Sequence, residues 1–535
     1  MTLSQRILSR FKRGRQTWNN HQRIAVLSKS VKPFIRTDPN ARPVVFFNAS
    51  TRLAGLSLNA AYSLLASFGV QLEGAPVIHF VCRAGMSRCV LGTNRDDFQE
   101  PPPCDLCINN SKGIFNNSEI QWFEYIQDDE LKNKIDSLGL KELLRIEQQG
   151  VPLGQFALPS LRWILRRHNL LENENTRALT REYILSGSSI AREFQAFIQT
   201  CKPQAVVVFN GMFYPEAIVR WVAFKQSIPV YTHEVGMQPY STFFTAGDAT
   251  AYPVDIPADF KLSAQQEKRL DDYLDKRFQG DFLTAGIRFW PEMHELGEEF
   301  WQKAAKFKQF VPIFTNVVFD TSQSHANQVF PHMFVWLDLV LEEIHNTPET
   351  LFVIRAHPDE LRPGKESRES VADWVEKKHV IDLQNAVFIH PNEYVSSYQL
   401  IEHAKFVMVY NSTVGLEATI KGKPVLCAGK ARYTQVPIVE FPQSKKAYQV
   451  ALQKFLKNQS IPLPAEFIRN ARHVLYSQLF MASLPFENFI ESDGVWNGFV
   501  RIKDFPLGKI DPRNSKTMKT VVDGILHQGD FLLEP

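Results

Sequence analysis

Three short stretches and one cysteine cluster hold the residue types that can do chemistry. The densest is Tyr410-Asn411-Ser412-Thr413-Val414-Gly415-Leu416-Glu417-Ala418. An apolar run ends, three small polar residues turn the chain, and a helical pattern begins. A helix start presents unpaired N–H groups that favour an anion. Ser412 and Thr413 add hydroxyls there, and Gly415 lets a ligand approach the backbone. The alternative is an ordinary cap. A capping box needs Glu three residues after the cap, and Glu417 is out of register with both Ser412 and Thr413. Glu417 is therefore expected to face the crevice and accept bonds from ribose hydroxyls. About 55 residues earlier, Arg355 and His357 leave the end of another strand pattern on one side of an extended chain. They are expected to balance the charge of a nucleotide phosphate held at that helix start, with a structural histidine as the competing reading. In Thr232-His233-Glu234, either Glu234 or His233 could take a proton from an acceptor hydroxyl; a cap or a salt bridge is the alternative. Asn48, Ser50 and Arg52 are expected to touch the acceptor, and Asn316 and Asp320 to face the crevice.

The cysteines form the fourth group. Four of the six follow the pattern Cys82-x6-Cys89-x14-Cys104-x2-Cys107. In a reducing compartment this argues against disulfides and for a metal site. The x2 pair has the spacing zinc prefers, and the x6 pair is looser. Structural zinc, an iron–sulfur cluster and unrelated buried thiols all remain open. No open position with a catalytic ligand set is evident, so no cofactor is expected for catalysis. Cys201 and Cys427 read as core.

These residues need a frame to position them. Strand patterns at 44–47, 76–81, 205–209 and 230–232 alternate with helical patterns at 58–68, 128–200 and 215–226. The alternation restarts at 311–316 and runs through strands near 351–355, 387–389, 406–410 and 424–427. The expected fold class is α/β, with two Rossmann-like doubly wound domains facing a crevice, helical insertions and a C-terminal helical tail. The expected units are a basic leader (1–42), a first domain (43–300) carrying the Cys cluster, a second domain (301–445) and an extension (446–535). This outline is GT-B-like, but many two-domain α/β proteins share it.

The run from Arg355-Ala356-His357-Pro358 through 397–401 to the 411–418 turn and Gly422-Lys423-Pro424-Val425 resembles the bacterial capsule polysaccharide biosynthesis family. Its characterised members are GT-B enzymes that transfer Kdo from CMP-Kdo with inversion. The resemblance covers roughly 311–435. It implies that His357 and Ser412/Thr413 hold the nucleotide phosphate and Glu417 the ribose. The family commonly has Lys where Arg355 stands. The implied partners are a nucleotide-sugar donor and a polysaccharide or lipid-linked glycan acceptor. Two readings compete with a glycosyltransferase. One is a transferase of another activated group, such as glycerol phosphate from CDP-glycerol. The other is a non-catalytic nucleotide-sugar or polysaccharide-binding scaffold.

Composition bounds the location. With 44% hydrophobic and 22% charged residues in 535, the chain is globular rather than disordered. No apolar run is long enough to span a bilayer, and the first 25 residues lack a secretory pattern, so cytoplasm is the expected address. The net charge of +3 is unevenly divided. Residues 1–42 hold ten Lys/Arg and one acid, +9, leaving 50 basic and 56 acidic residues, −6, in the rest. An acidic body argues against nucleic acid. Helical spacing puts Leu3, Ile7 and Phe11 together among the bases, so the leader could dock on an anionic membrane surface. It could equally pack on the acidic body, fray, or act as a transit peptide.

Overall fold

The computed structural model describes residues 3–36, 38, 40–49, 54–257, 260–279, 283–284, 287–288 and 293–534. Along the first domain run α1 (Leu3–Val31), β1 (Val44–Asn48), α2 (Leu58–Leu72), β2 (Val77–Cys82), α3 (Cys104–Ile114), β3 (Glu119–Phe123), α4 (Leu153–Leu165), α5 (Glu174–Cys201), β4 (Ala205–Phe209), α6 (Tyr214–Lys225), β5 (Val230–Val235) and β6 (Ser241–Thr245). After α7 (Ala264–Phe278) the second domain runs through β7 (Gln309–Phe314), α8 (Met333–Asn346), β8 (Thr350–Arg355), β9 (Ala386–Ile389), α9 (Ser397–His403), β10 (Val407–Val409), α10 (Val414–Ile420) and β11 (Val425–Cys427). The chain closes with α11 (Ala465–Tyr476), β12 (Leu484–Pro485) and α12 (Lys516–His527).

The central strands are continuous apolar runs because both faces are covered. Val44, Val45, Phe46 and Phe47 are all buried, as are Leu351, Phe352, Val353 and Ile354. The first sheet has the order β12-β6-β5-β4-β1-β2-β3, parallel from β5 to β3 and antiparallel at β6 and β12. The second is wholly parallel, β9-β8-β7-β10-β11. Each reverses direction beside its first strand, between β1 and β4 and between β7 and β10. Crevices at the carboxyl ends of such switch points are where doubly wound sheets bind ligands. The α/β class and the two doubly wound sheets are thus as the periodicity predicts.

Both chain ends pack on the body, which for the leader is one of the readings left open by its sequence. The second half of α1 is part of the body: Ile24, Leu27 and Val31 are buried. Asn20 brackets the strand Val500–Ile502, donating to Val500 O at 3.0 Å and accepting from Ile502 N at 2.9 Å. Phe11 faces solvent at 76% exposure instead of packing, and Trp18 does so at 62%. The segment after α11 returns to the first domain, where β12 extends the sheet and α12 packs on α2. Gly69 permits that approach, since a Cβ there would lie 3.1 Å from Val522 Cγ2.

Candidate functional site

Both halves of a cavity of about 450 Å3 come from different domains. The second domain supplies the residues around its switch point. Asn316 follows β7 and its Oδ1 accepts the Asn411 N–H at 3.3 Å, joining the β7 and β10 ends. Ser412 and Thr413 line the cavity, as do Asp320 and His357. His357 Nδ1 accepts the Asp359 N–H at 3.1 Å, which assigns the neutral ring's proton to Nε2. Burial pushes this histidine's pKa down, so it is neutral at pH 7.

Three of the sequence-predicted donor residues are turned elsewhere. Arg355 is 3% exposed; it donates to Ser397 Oγ at 3.1 Å, Val395 O at 2.9 Å and Ala356 O at 3.2 Å. It fastens β8 to the loop before α9 and does not line the cavity. Glu417 is 6% exposed and accepts Tyr398 Oη at 2.8 Å and Arg277 Nε at 3.1 Å. The missing capping box left this carboxylate for a buried ion pair with α7, 140 positions away, not for the crevice. Gly415 makes room for protein: a Cβ there would lie 2.4 Å from Tyr433 Oη, which donates to Ser412 O at 2.6 Å. Helix α10 is only seven residues long, and Thr413, at its start, makes no side-chain cap bond.

What gives the cavity its charge lay outside the motifs. Arg166, Arg362, Lys365, Lys430 and Arg432 line it, against the acids Asp320 and Asp359. Arg166 caps α4 in the left-handed conformation, φ 56°, and reaches in from the first domain. Its guanidinium lies 4.2 Å from the Trp163 ring centre and 5.0 Å from that of Phe319. The residue is 4% exposed, yet Nε and Nη1 have no hydrogen-bond partner among the described residues. Burial, reinforced by Arg95, Arg368 and Arg362, pushes its pKa down to about 10, so it is still charged at pH 7. Its backbone O accepts the Arg368 N–H at 2.8 Å across the domain boundary.

At the first domain's switch point Asn48, Asn59, Glu216 and His233 line a smaller cavity of about 50 Å3. His233 is 1% exposed and its ring stacks on Phe244, 5.1 Å between centres. Burial pushes it down to about 3. Glu234 is half-buried and accepts from Asn210 Nδ2 at 3.0 Å and Asn59 Nδ2 at 3.3 Å. Asn48 donates to Phe46 O at 2.9 Å. Ser50 and Arg52 lie outside the described residues. Glu216 was not a sequence candidate, because a Glu in a first helical turn reads as a dipole partner. Burial pushes it up to about 8, so it keeps its proton at neutral pH. A larger cavity, about 1150 Å3, is lined by Phe156, Trp221, Phe243 and Phe531 and contains none of the sequence-predicted residues.

Residues 290–447 match the family model described as "Capsule polysaccharide biosynthesis protein". The match spans most of the second domain and under a third of the chain. That stretch holds both the Arg355–His357 and the 411–418 motifs. No curated protein sequence matches the chain. Solved structures to which it is similar include the Thermosulfurimonas dismutans KpsC beta Kdo 2,7 transferase, 17% identical over 55% of this chain and 81% of that one, TM-score 0.33. The T. dismutans KpsC beta Kdo 2,4 transferase is 11% identical over 52% and 80%, TM-score 0.34. The S. aureus MnaA–UDP co-structure is 11% identical over 91% and 96%, TM-score 0.28. Among the described residues no helix is long and apolar enough to cross a membrane.

Proposed function

We propose that the protein is an inverting glycosyltransferase of capsule synthesis, moving a sugar from a nucleotide donor such as CMP-Kdo to a polysaccharide or glycolipid acceptor. The observation that carries this reading is Arg166, a buried cation with two unpaired nitrogens, at the wall of a cation-rich cavity between two doubly wound domains. A buried unpaired donor is costly unless a ligand completes it. A nucleotide's phosphate has the charge and the acceptor oxygens to do so, and the family match of the second domain accords with such a donor.

In this reading the acceptor hydroxyl attacks the anomeric carbon while the nucleotide leaves as a phosphate oxyanion. The C–O bond to the nucleotide breaks as the new glycosidic bond forms on the opposite face. Arg166, Lys430, Arg432 and the Nε2–H of His357 stabilise the leaving oxyanion, with Ser412, Thr413 and Asn316 positioning it. The acceptor's proton goes to a base of the first domain. Glu234, oriented by two asparagine amides, fits that role better than His233, whose burial makes it a poor proton acceptor at neutral pH.

Calorimetric titration with CMP, CDP, UDP and GDP tests the donor site. One nucleotide should bind, and radiolabelled sugar from the matching donor should then appear in a lipid-linked acceptor extract. Binding of none of the four would sink the donor assignment. Binding without transfer across a panel of sugar donors would favour a scaffold.

A further inference from the structure

The cysteine cluster belongs to none of this chemistry, and the fold treats it in an ordered way. Cys82 ends β2, Cys89 sits in the following loop, and Cys104 and Cys107 open α3. All four line one small hollow of about 20 Å3. A hollow of this size holds about one water and has no room for a side chain. Among the described residues no group of three or more His, Cys, Asp or Glu is placed to hold a metal ion as it stands. What the fold supplies is four thiols lining one small hollow, whose sulfurs must move inward before they can share an ion.

Two features of that backbone suit bound thiolates. The Gly85 N–H points at Cys82 Sγ at 3.2 Å, and the Gly92 N–H points at Cys89 Sγ at 3.2 Å. Each donor lies three residues after its cysteine, so the chain makes the same turn twice. Gly92 is sterically required, since a Cβ would stand 2.8 Å from Cys89 Sγ. The second pair occupies positions i and i+3 in the first turn of an eleven-residue helix, on one side. The long spacer between the pairs is folded back: Arg88 donates to Phe98 O at 2.6 Å and to Gln99 O at 3.0 Å.

We infer that Cys82, Cys89, Cys104 and Cys107 bind one zinc ion as a closed structural tetrathiolate site. Four S–H bonds give four protons to solvent and four S–Zn bonds form, with no change of oxidation state. The ion draws the sulfurs in around the hollow and closes the 82–107 loop. Cys89, Met86 and Ala49 also line the acceptor-side cavity, so the ion fixes one wall of it from behind.

The test uses the full chain purified under reducing conditions without chelators. Metal analysis should return one zinc per chain. Exchange with cobalt(II) should give the visible bands and thiolate charge-transfer absorption of tetrahedral sulfur coordination. A strong chelator should release the zinc and expose four further thiols to a thiol reagent. Gly92→Ala, which displaces Cys89 Sγ, should weaken retention against a graded chelator series, giving a readout if Cys-to-Ser variants fail to fold. Substoichiometric zinc that does not rise on adding zinc overturns the inference. So does a brown iron–sulfur chromophore, or zinc whose release exposes no thiols.

Discussion

Replacing Arg166 by Met separates a ligand-binding arginine from a structural one. The methionine keeps an unbranched stem over Trp163 and Phe319 and removes the charge. In the ligand-free protein the change deletes two buried donors without partners, and each such donor costs about 1–3 kcal/mol. It forfeits the contact with the Trp163 ring, about 0.5–2 kcal/mol. Stability should therefore stay level or rise, by at most about 5 kcal/mol. Nucleotide binding should move the other way. A hydrogen bond to a charged group contributes about 1.5–3 kcal/mol, so loss of one raises Kd roughly 10- to 150-fold. Arg166→Lys keeps the charge but not the planar fork, and should fall between. Thermal unfolding of the free variants reads the first quantity, and calorimetry with the preferred nucleotide reads the second. A variant less stable than the wild type with an unaltered Kd would refute the reasoning, because Arg166 would then be supporting the fold instead of waiting for an anion.

Glu417→Gln leaves Arg277 buried without its carboxylate and should cost about 3–5 kcal/mol of stability, seen in denaturant unfolding. If the variant instead keeps its stability and loses only nucleotide affinity, the ribose assignment is restored. Stability should also fall as pH rises from about 7.5 to 8.5. Burial pushes Glu216 and Glu360 up to about 8, so in that window the folded chain holds up to two protons that the unfolded carboxyls have lost, at most about 1.4 kcal/mol per pH unit each. His79, His168 and His233, pushed down to about 3, and the lowered His21, His325, His332, His357 and His473 give the opposite slope, which fades above about pH 7.5 as the unfolded histidines lose their protons. Melting temperature against pH should show the decline, and Glu360→Gln should remove about half of it; an unchanged slope in that variant would exclude Glu360 as a source. On the outer face of α1, Lys12, Arg15 and Lys29 are exposed beside Phe11 and Trp18. Changing the three cations to Gln should weaken sedimentation with anionic liposomes by about 1 kcal/mol each without altering the melting temperature. Undiminished liposome binding would remove the membrane role of this helix.

The sheets were readable because their strands are apolar runs set between helical periods, and that pattern is local. The same holds for the end of β10 and for Asn316, which meet because β7 and β10 are neighbours at the switch point. The return of residues 484–485 to the first sheet was not readable: a two-residue strand has no period. Packing of the leader on the body was only one of several open readings, because its apolar positions Ile24, Leu27 and Val31 are diluted by ten basic residues. Glu417 was misread for a related reason. Its failure to fit a capping box was a true local observation, but its partner, Arg277, lies in another helix.

Charged side chains in and around a binding motif answer two different needs, and sequence spacing cannot separate them. Arg355 and Arg166 are buried to the same degree, 3% and 4% exposed. Arg355 reaches three acceptors within its own domain, so its charge is already answered and it serves as a clamp. Arg166 stands where two domains meet, between a tryptophan and a phenylalanine that screen it from water, with two nitrogens unanswered. Nothing in the residues around Arg166 predicts this, because among the described residues no acceptor of either wall, Asp320 and Asp359 included, bonds its Nε or Nη1. A binding residue at a domain boundary is therefore recognised by what its surroundings leave unmade. That quantity exists only after both domains have folded and closed on each other.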